Sequence, residues 1–261
     1  MNLKSIILIA AILIPAISGA QEKAANQTDK DGRKQGHWIK KYPTGKLMYE
    51  GFFKNDKPEG EFKRYYEKGE LKSLMVFSTN GSVADASLYY ENGFIASRGK
   101  YINQLKEGTW IFFSPTSKGE PVLKEDYAKD KRNGISVKYF PDSTIAEKIT
   151  YKNDMKDGEW TKYYPDGKVS FSAICSNNRL NGKYEGFFEN GKTEISGIYK
   201  DDLRDGPWII YLKDGKVKFK IEYVLGIPKN RDLDIYETNY LDSLENNKVK
   251  IPDPEKTGQI W

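Results

Sequence analysis

A glycine recurs about every 24 residues through most of this 261-residue chain, and that period constrains the fold more than any single motif. The anchor glycines are Gly36, Gly60, Gly108, Gly134, Gly158, Gly182 and Gly206. A fixed period of this length indicates repeated supersecondary units, none of which buries its apolar face without its neighbours. We number each unit from its anchor as position 0, and count Ala84 as the anchor of a third unit that lacks the glycine.

Within each unit the pattern predicts two strands and a turn. Position 2 is aromatic in most units, namely Trp38, Phe62, Trp110, Trp160, Tyr184 and Trp208. A second glycine at position 9 often follows Asn or Asp, which predicts a tight hairpin turn with positive φ angles. Apolar and polar residues alternate from position 11 to position 17, as in a half-buried strand. Each unit is thus predicted to be one β-hairpin that the anchor glycine opens, and a polar loop connects it to the next unit.

Eight such units fill residues 36–229 if the fourth has two extra residues, which fit a longer turn from Ser114 to Pro121. The predicted fold is all-β: an elongated, twisted antiparallel sheet of about eight stacked 24-residue β-hairpin repeats. An irregular C-terminal cap is predicted at 230–261, because repeat arrays shield their last edge strand. A disordered tail is the alternative for the same residues.

The units resemble a known repeat. Matching pieces are 49–53 (YEGFF) with 60–62 (GEF), 99–101 (GKY) with 108–110 (GTW), and 196–199 (SGIY) with 206–208 (GPW). This pattern is similar to the MORN repeat, and units of the form Gly-x-Trp-x-x-Tyr-Tyr-x-x-Gly resemble the bacterial variant of that family. The resemblance implies stacked hairpins and a role in binding or scaffolding, with lipid or protein partners in different members. It also implies an antitoxin-like label for some bacterial relatives.

The N-terminus predicts export. Lys4 precedes an apolar run over 6–17, and small residues follow it at 18–20. This order is typical of a secretory signal peptide over 1–20, because the apolar run is shorter than the ~20 residues of a membrane-spanning helix. An uncleaved anchor is the alternative. Residues 21–35 are predicted to be a flexible leader, and the protein to be periplasmic, on the cell surface or secreted.

Charge narrows the class of partner. The chain has 42 basic and 37 acidic residues, which give a formal net charge of +5. Charges of both signs alternate along the sequence without a basic stripe, so nucleic acid is not an expected partner. Membrane association after signal cleavage is not indicated either. The expected partner is a protein or an envelope polysaccharide.

Side chains that support catalysis are scarce. Cys175 is the only cysteine and His37 the only histidine, and a metal site or nucleophilic pair requires more of them. We interpret Cys175 as a small apolar side chain in an aromatic column, with a reactive thiol as the alternative, and His37 as an exposed strand residue. We therefore expect no enzyme activity, no catalytic residue, no cofactor and no metal.

Carboxylates recur at position −1, immediately before the anchor. They are Glu59, Glu107, Asp157 and Asp205. Paired carboxylates can hydrolyse glycosides or bind Ca²⁺. However, lysine and arginine side chains alternate with them, which favours solvated loops whose charges neutralise one another.

The aromatic columns are the candidate binding surface. Large side chains of a single-layer sheet must cover one another, so we interpret positions 2, 13 and 17 as structural. Adjacent positions 5 and 6 point to opposite faces, which leaves one of the two columns more exposed. We predict position 5 as the binding surface, comprising Tyr65, Tyr89, Phe113, Tyr139, Tyr163, Phe187 and Tyr211.

The predicted function is a non-enzymatic protein-interaction or scaffold module of the cell envelope. One alternative is a carbohydrate or cell-wall binding module that uses the periodic tyrosines and tryptophans, since aromatic rings stack on sugars. A further alternative is an antitoxin-like repeat protein, from which an exported chain departs because antitoxins act in the cytosol.

Overall fold

The computed structural model describes residues 24–229 together with 239–240 and 242–243. Residues 24–229 form strands and turns, and the four later residues are helical. The strands are β1 Gln27–Thr28, β2 Lys34–Lys41, β3 Leu47–Lys54, β4 Lys57–Tyr65, β5 Leu71–Phe77, β6 Val83–Tyr89, β7 Ile95–Ile102, β8 Leu105–Phe113, β9 Pro121–Ala128, β10 Lys131–Tyr139, β11 Ile145–Lys152, β12 Met155–Tyr163, β13 Val169–Ser176, β14 Arg179–Phe187, β15 Thr193–Lys200, β16 Leu203–Tyr211, β17 Val217–Val224 and β18 Ile227–Pro228.

Every strand pairs antiparallel with the next one in the chain, from β1 to β18, which makes one continuous meander. This arrangement confirms the predicted all-β sheet of stacked hairpin repeats. The two extra residues of the fourth unit lie between β8 and β9, in the turn that follows Phe113.

Two kinds of turn alternate along the sheet. The tighter kind was predicted at position 9, within each unit, but it lies at positions 19 and 20, between units. In every unit but the second, the predicted polar loop at positions 19 and 20 is a two-residue turn whose residues both have positive φ, as in a type I′ hairpin; the second unit has the longer kind of turn, with positive φ only at Gly81. These pairs are Asn55-Asp56, Asn103-Gln104, Lys129-Asp130, Asn153-Asp154, Asn177-Asn178, Asp201-Asp202 and Leu225-Gly226. These two-residue turns are therefore tighter than the turns that join the two strands within a unit.

The turn at position 9 is longer than predicted. In this turn of the sixth unit, between Tyr163 and Val169, only Gly167 has a positive φ, of 83°. Its N–H donates to the carbonyl of Tyr164 at 2.9 Å, and the N–H of Tyr164 donates to the carbonyl of Lys168 at 2.8 Å. This is a type I turn followed by a left-handed residue, in which the Asn or Asp before the glycine needs no positive φ.

The anchor glycine forms a β-bulge and does not open the strand, contrary to the prediction. Gly60, with φ of 69°, is the fourth residue of β4 and interrupts the pairing of β4 with β3. A left-handed backbone favours glycine because a Cβ clashes there. Ala84 has no positive φ, and the pairing of β6 with β5 is unbroken. The third unit therefore lost the glycine and the bulge together.

The two-residue turns are linked to one another along one end of the sheet. The N–H of Asp154 donates to the carbonyl of Arg132 at 2.9 Å, and its Oδ1 accepts from the N–H of Arg132 at 2.8 Å. Equivalent side-chain bonds run from Lys34 to Asp56, Lys106 to Asp130, Lys156 to Asn178, and Leu180 to Asp202. An Asp or Asn residue at position 20 thus tolerates the positive φ of the turn, and its side chain hydrogen-bonds to the backbone beside the neighbouring turn.

The buried side chains lie on one face of the sheet and form two apolar clusters. One comprises parts of the third and fourth units around Trp110, and the other spans the last three units around Trp208. Between them lie the buried polar side chains of Glu125, at the end of the fourth unit, and of Ser136 and Glu147 in the fifth. The predicted aromatic column is therefore interrupted by a charged segment near the middle of the array.

Parts of the predicted ends lie outside the described residues. These are the signal peptide at 1–20 and most of the predicted cap at 230–261. In the predicted leader, β1 pairs with the start of β2, and the Trp38 indole N–H donates to the carbonyl of Gln27 at 3.2 Å. The second half of the leader is thus a strand and turn rather than a flexible segment.

Candidate interaction surface

The pleat divides the side chains between two faces. Across each strand pair, position 2 of one strand lies opposite position 15 of the next, as Trp160 lies opposite Ala173. Even positions before the turn therefore share a face with odd positions after it. We call positions −2, 2, 4, 13, 15 and 17 the aromatic face, and positions 1, 3, 14 and 16 the second face.

A column of cations at position −2 lies over the aromatic rings. The shortest cation-to-centroid distances are 4.8 Å from Lys34 to Trp38, 4.7 Å from Lys106 to Tyr127, 4.2 Å from Arg132 to Tyr151, 3.7 Å from Lys156 to Trp160, and 5.2 Å from Arg204 to Trp208. A cation is attracted to the face of a ring, and its aliphatic stem covers apolar surface. A single-layer sheet therefore covers its rings with the side chains of its own cations.

Charge is distributed unequally between the two faces. The aromatic face carries nine cations, Lys34, Lys40, Arg64, Lys106, Arg132, Lys138, Lys156, Lys162 and Arg204, against two carboxylates, Glu125 and Glu147. The second face carries seven cations, Lys63, Arg98, Lys100, Lys124, Lys148, Lys183 and Lys220, and seven carboxylates, Glu50, Glu61, Asp85, Asp126, Glu159, Glu185 and Glu222. The basic stripe that is absent from the linear sequence is thus present on one face of the folded sheet.

Glycine at position 15 makes room for the ring at position 2 of the next unit. A Cβ on Gly51, Gly99 or Gly197 would overlap the ring of Phe62, Trp110 or Trp208, respectively. The third unit reverses the sizes, since Met75 lies opposite Ala86. The two positions therefore fill one space between them, with the large side chain on either strand.

A buried ionic group crosses the fifth and sixth units. Glu147 Oε1 accepts from the Trp160 indole N–H at 2.8 Å, and its two oxygens lie 3.5 Å and 4.0 Å from the amines of Lys138 and Lys162. Burial lowers the pKa of Lys162 and of Lys156, although the charge of Glu147 acts in the opposite direction. A buried carboxylate needs such partners to stay charged.

Glu125 forms a second buried group beside it. The carboxylate is 3% exposed and accepts from the hydroxyls of Tyr127 at 2.6 Å and Ser136 at 3.2 Å. The Arg132 guanidinium lies 4.0 Å away. Sequence reasoning missed both buried carboxylates. The sequence contains a signal for Glu125. Ser136 replaces the ring at position 2 of the fifth unit, and Glu125 faces it from position 15 of the fourth unit.

The face is open at its N-terminal end. In β2 to β7 most of its large side chains are half-buried, whereas further along Trp110 and Trp208 are 0% exposed. Two clefts of about 340 Å³ and 300 Å³ lie in this open end, and Arg64 lines both. Met75, Phe77 and Tyr101 line the larger cleft.

The second face has a cleft of its own, about 620 Å³ in volume, across β5 to β8. Leu74, Val76 and Ile111 give it apolar walls, and Asp85 and Lys100 on its rim lie 3.9 Å apart. Its charges are paired or balanced, so this cleft lacks the excess of one sign that the aromatic face has.

The sequence comparisons identify the repeat. The profile of the MORN repeat variant matches residues 34–55, 58–79, 132–153, 156–173, 180–201 and 204–224. These six matches coincide with units one, two and five to eight, each starting at or beside position −2. The chain is a MORN repeat protein. No curated protein matches the sequence of this chain.

Proteins of the MORN repeat family generally interact with other proteins or with membranes, and the family is generally non-enzymatic. The third and fourth units of this MORN array lie outside the matched residues. They contain the two features that depart from the repeat, namely the missing glycine at Ala84 and the longer turn after Phe113. Among the described residues, no helix has the length and apolar character needed to span a bilayer.

The predicted binding residues at position 5 form a row at the ends of the even-numbered strands β4 to β16. Phe113 is buried, and the other six (Tyr65, Tyr89, Tyr139, Tyr163, Phe187 and Tyr211) are half-buried. The Tyr65 hydroxyl donates to Glu50 Oε1 at 2.6 Å, and burial together with this bond raises its pKa to about 12. Position 5 is odd and precedes the turn, so this row lies on the second face, like Glu50, and its assignment as a binding surface stays a prediction.

Backbone carbonyls of this row hold the MORN units together. The Tyr164 hydroxyl donates to the carbonyl of Phe187 at 2.6 Å. Tyr42, Tyr66 and Tyr90 at the same position 6 donate to the carbonyls of Tyr65, Tyr89 and Phe113, respectively. A tyrosine at position 6 therefore links the longer turn of its unit to the next unit, a role that the sequence did not reveal.

The side chains considered for catalysis make contacts that stabilise turns and strands. Carboxylates of Glu107, Asp157 and Asp205 accept backbone N–H groups of neighbouring two-residue turns at 3.0–3.4 Å. Glu59 lies at the same position of its unit, and its residue is half-buried. His37 is half-buried, not exposed as predicted, with its ring 5.2 Å from that of Phe52. Within the described part of the chain, no group of His, Cys, Asp and Glu side chains could hold a metal ion.

Proposed function

We propose that this MORN repeat protein is an exported, non-enzymatic scaffold of the cell envelope that binds a protein partner through its aromatic face. The observation that carries the proposal is the excess of cations among the rings of that face, which the second face lacks. Aromatic side chains and arginine are the residue types that contribute most to protein interfaces. Charge of one sign also steers a complementary partner to the surface.

A protein partner fits this surface better than a polysaccharide. A sugar would stack on an open ring face, but Trp110 and Trp208 are 0% exposed, and cations lie over the half-buried rings of Trp38 and Trp160. The accessible part of the face consists of clefts between side chains. Such clefts suit the anchor residues of a protein partner.

Export rests on the sequence of residues 1–20, with its cation, apolar run and small-residue end. A scaffold that works outside the cytosol also fits a chain with a single, buried cysteine. An antitoxin-like role would require an uncleaved, cytosolic product.

The experiment is cell fractionation and cross-linking with the full-length protein in the cells that produce it. We expect a mature form that begins at Gln21, recovered with the envelope and cross-linked to another protein. An uncleaved product in the cytosol would overturn the export proposal. Recovery with polysaccharide and without a protein partner would overturn the proposed partner class.

A further inference from the structure

Tyr240 and Asp242 already contact one end of the aromatic face. The Tyr240 ring packs 6.0 Å from that of Phe219, and the amine of Lys218 lies 3.9 Å from the centre of the Tyr240 ring. Asp242 Oδ1 accepts from Arg204 Nη2 at 2.9 Å. An aromatic side chain and a carboxylate, two residues apart in the sequence, thus bind to a ring and a position −2 cation of this face.

The open end offers the same two kinds of group. Lys34, Lys40 and Arg64 lie on its aromatic face, and Lys72 lines the smaller cleft. Neither cleft is lined by an aspartate or a glutamate. Within the described residues, these four cations form no ion pair. The charge of this end therefore favours a partner that supplies carboxylates.

The larger cleft has room for an apolar side chain. Small residues at Gly81, Ser82 and Ala84 line it, and Met75, Phe77 and Tyr101 border the same space. Arg64 lies between this cleft and the smaller one, which Tyr49 also lines. An aromatic side chain in one cleft would place a nearby carboxylate within reach of the guanidinium, as at Arg204.

We propose that the open end of the aromatic face, over β2 to β7, binds a segment of a partner protein that carries an aromatic side chain and a carboxylate two residues apart. This inference rests on the proposed function and specifies the partner's chemistry. Arg64 is the cation that pairs with the carboxylate, and the cleft beside Met75 receives the aromatic side chain.

The test uses the full-length mature protein and a fluorescently labelled peptide with the sequence of residues 236–245 as the probe. Fluorescence anisotropy gives the affinity for wild type, for Arg64→Glu, and for Arg98→Glu as a matched charge reversal on the second face. Circular dichroism and thermal unfolding establish that both variants are folded. Peptides with Tyr240→Ala or Asp242→Asn test the two side chains separately.

We expect Arg64→Glu to weaken binding about tenfold or more, because it removes a charge-assisted hydrogen bond. Arg98→Glu should stay within about twofold of wild type, and each altered peptide should also bind more weakly. Equal affinities for wild type and Arg64→Glu would overturn the inference. So would self-association that Arg64→Glu abolishes, because the occupant would then be a second copy.

The proposed function can survive that failure. If the cross-linked envelope protein is recovered equally with wild type and Arg64→Glu, the scaffold role stands and only the inferred docking chemistry is wrong. If no protein is recovered with either, the proposed function fails independently of the peptide result.

Discussion

Cys175 occupies position 17, a column that otherwise holds tyrosine or phenylalanine. The side chain is buried, and burial raises the pKa of its thiol, although the nearby amine of Lys156 acts in the opposite direction. Since the thiolate is the reactive form, we expect almost no reaction with Ellman's reagent in the native protein and full reaction in denaturant. Lys156→Met should leave the thiol equally unreactive. Rapid labelling of the folded protein would show that Cys175 is an accessible thiol.

Tyr65 makes stability depend on pH at the alkaline end. The folded pKa is about 12, above the ordinary value of 10.0, so the folded state keeps the phenol proton where the unfolded state loses it. Its contribution is fully present below the ordinary pKa and is lost as the pH rises toward about 12. We expect Tyr65→Phe to reduce the loss of stability over this range. Urea unfolding at several alkaline pH values checks it, and identical profiles for the two proteins would contradict it.

At the scale of the repeat unit, Met75 and Ala86 test whether two strands share one packing space. Ala86→Trp alone should destabilise the protein by about 1–3 kcal/mol, because the ring meets the Met75 side chain. Met75→Gly in the same chain recreates the pair seen at Gly99 and Trp110 and should recover part of that loss. A double-mutant cycle from chemical denaturation gives the coupling, expected at about 1–3 kcal/mol. Strictly additive effects would mean that the two positions do not share the space.

The position 6 tyrosines give a second test at this scale. Tyr164→Phe removes the hydrogen bond to the carbonyl of Phe187 and should destabilise the protein by about 0.5–1.5 kcal/mol. The chain provides its own reference, since Phe140 and Phe188 occupy the same position without a hydroxyl. Thermal unfolding of Tyr164→Phe measures the loss. An unchanged melting temperature would show that the bond contributes nothing.

The sheet was predictable from sequence because its signals are local. Alternation after the turn and the glycine period were enough for the number of units and the skipped glycine at Ala84. The turn types were not, because Asn-Gly at position 9 and Asn-Asp at position 20 are both turn sequences. Which pair has two positive φ angles depends on strand pairing, and so does the bulge at the anchor glycine.

At the scale of the whole molecule, the two faces differ in charge although the sequence does not reveal it. A cation at an even position before the turn and one at an odd position after it share a face, so the linear sequence mixes the two faces. Sorting the charges by repeat position finds the cation column, but it requires the strand pairing. The buried Glu125 and Glu147 were missed for the same reason, because Ser136 at position 2 of the fifth unit points to Glu125 only once the facing strand is known.

The ends of the sheet are also a property of the whole molecule. Within the described residues, the outermost strands β1 and β18 are each two residues long. Short edge strands limit pairing with other chains along the part of β2 and β17 that they cover, and the two faces carry most side chains of the array. This makes the choice of face the central question for function.

Photo-cross-linking from adjacent residues tests the central claim, that the aromatic face is the interaction surface. Met75 and Leu74 are neighbours in β5 whose side chains point to opposite faces. A photo-reactive amino acid placed at either position in the full-length protein reports which face the envelope partner contacts. We predict a cross-linked protein from position 75 and none from position 74. Cross-linking from position 74 alone, or equally from both, would contradict the account.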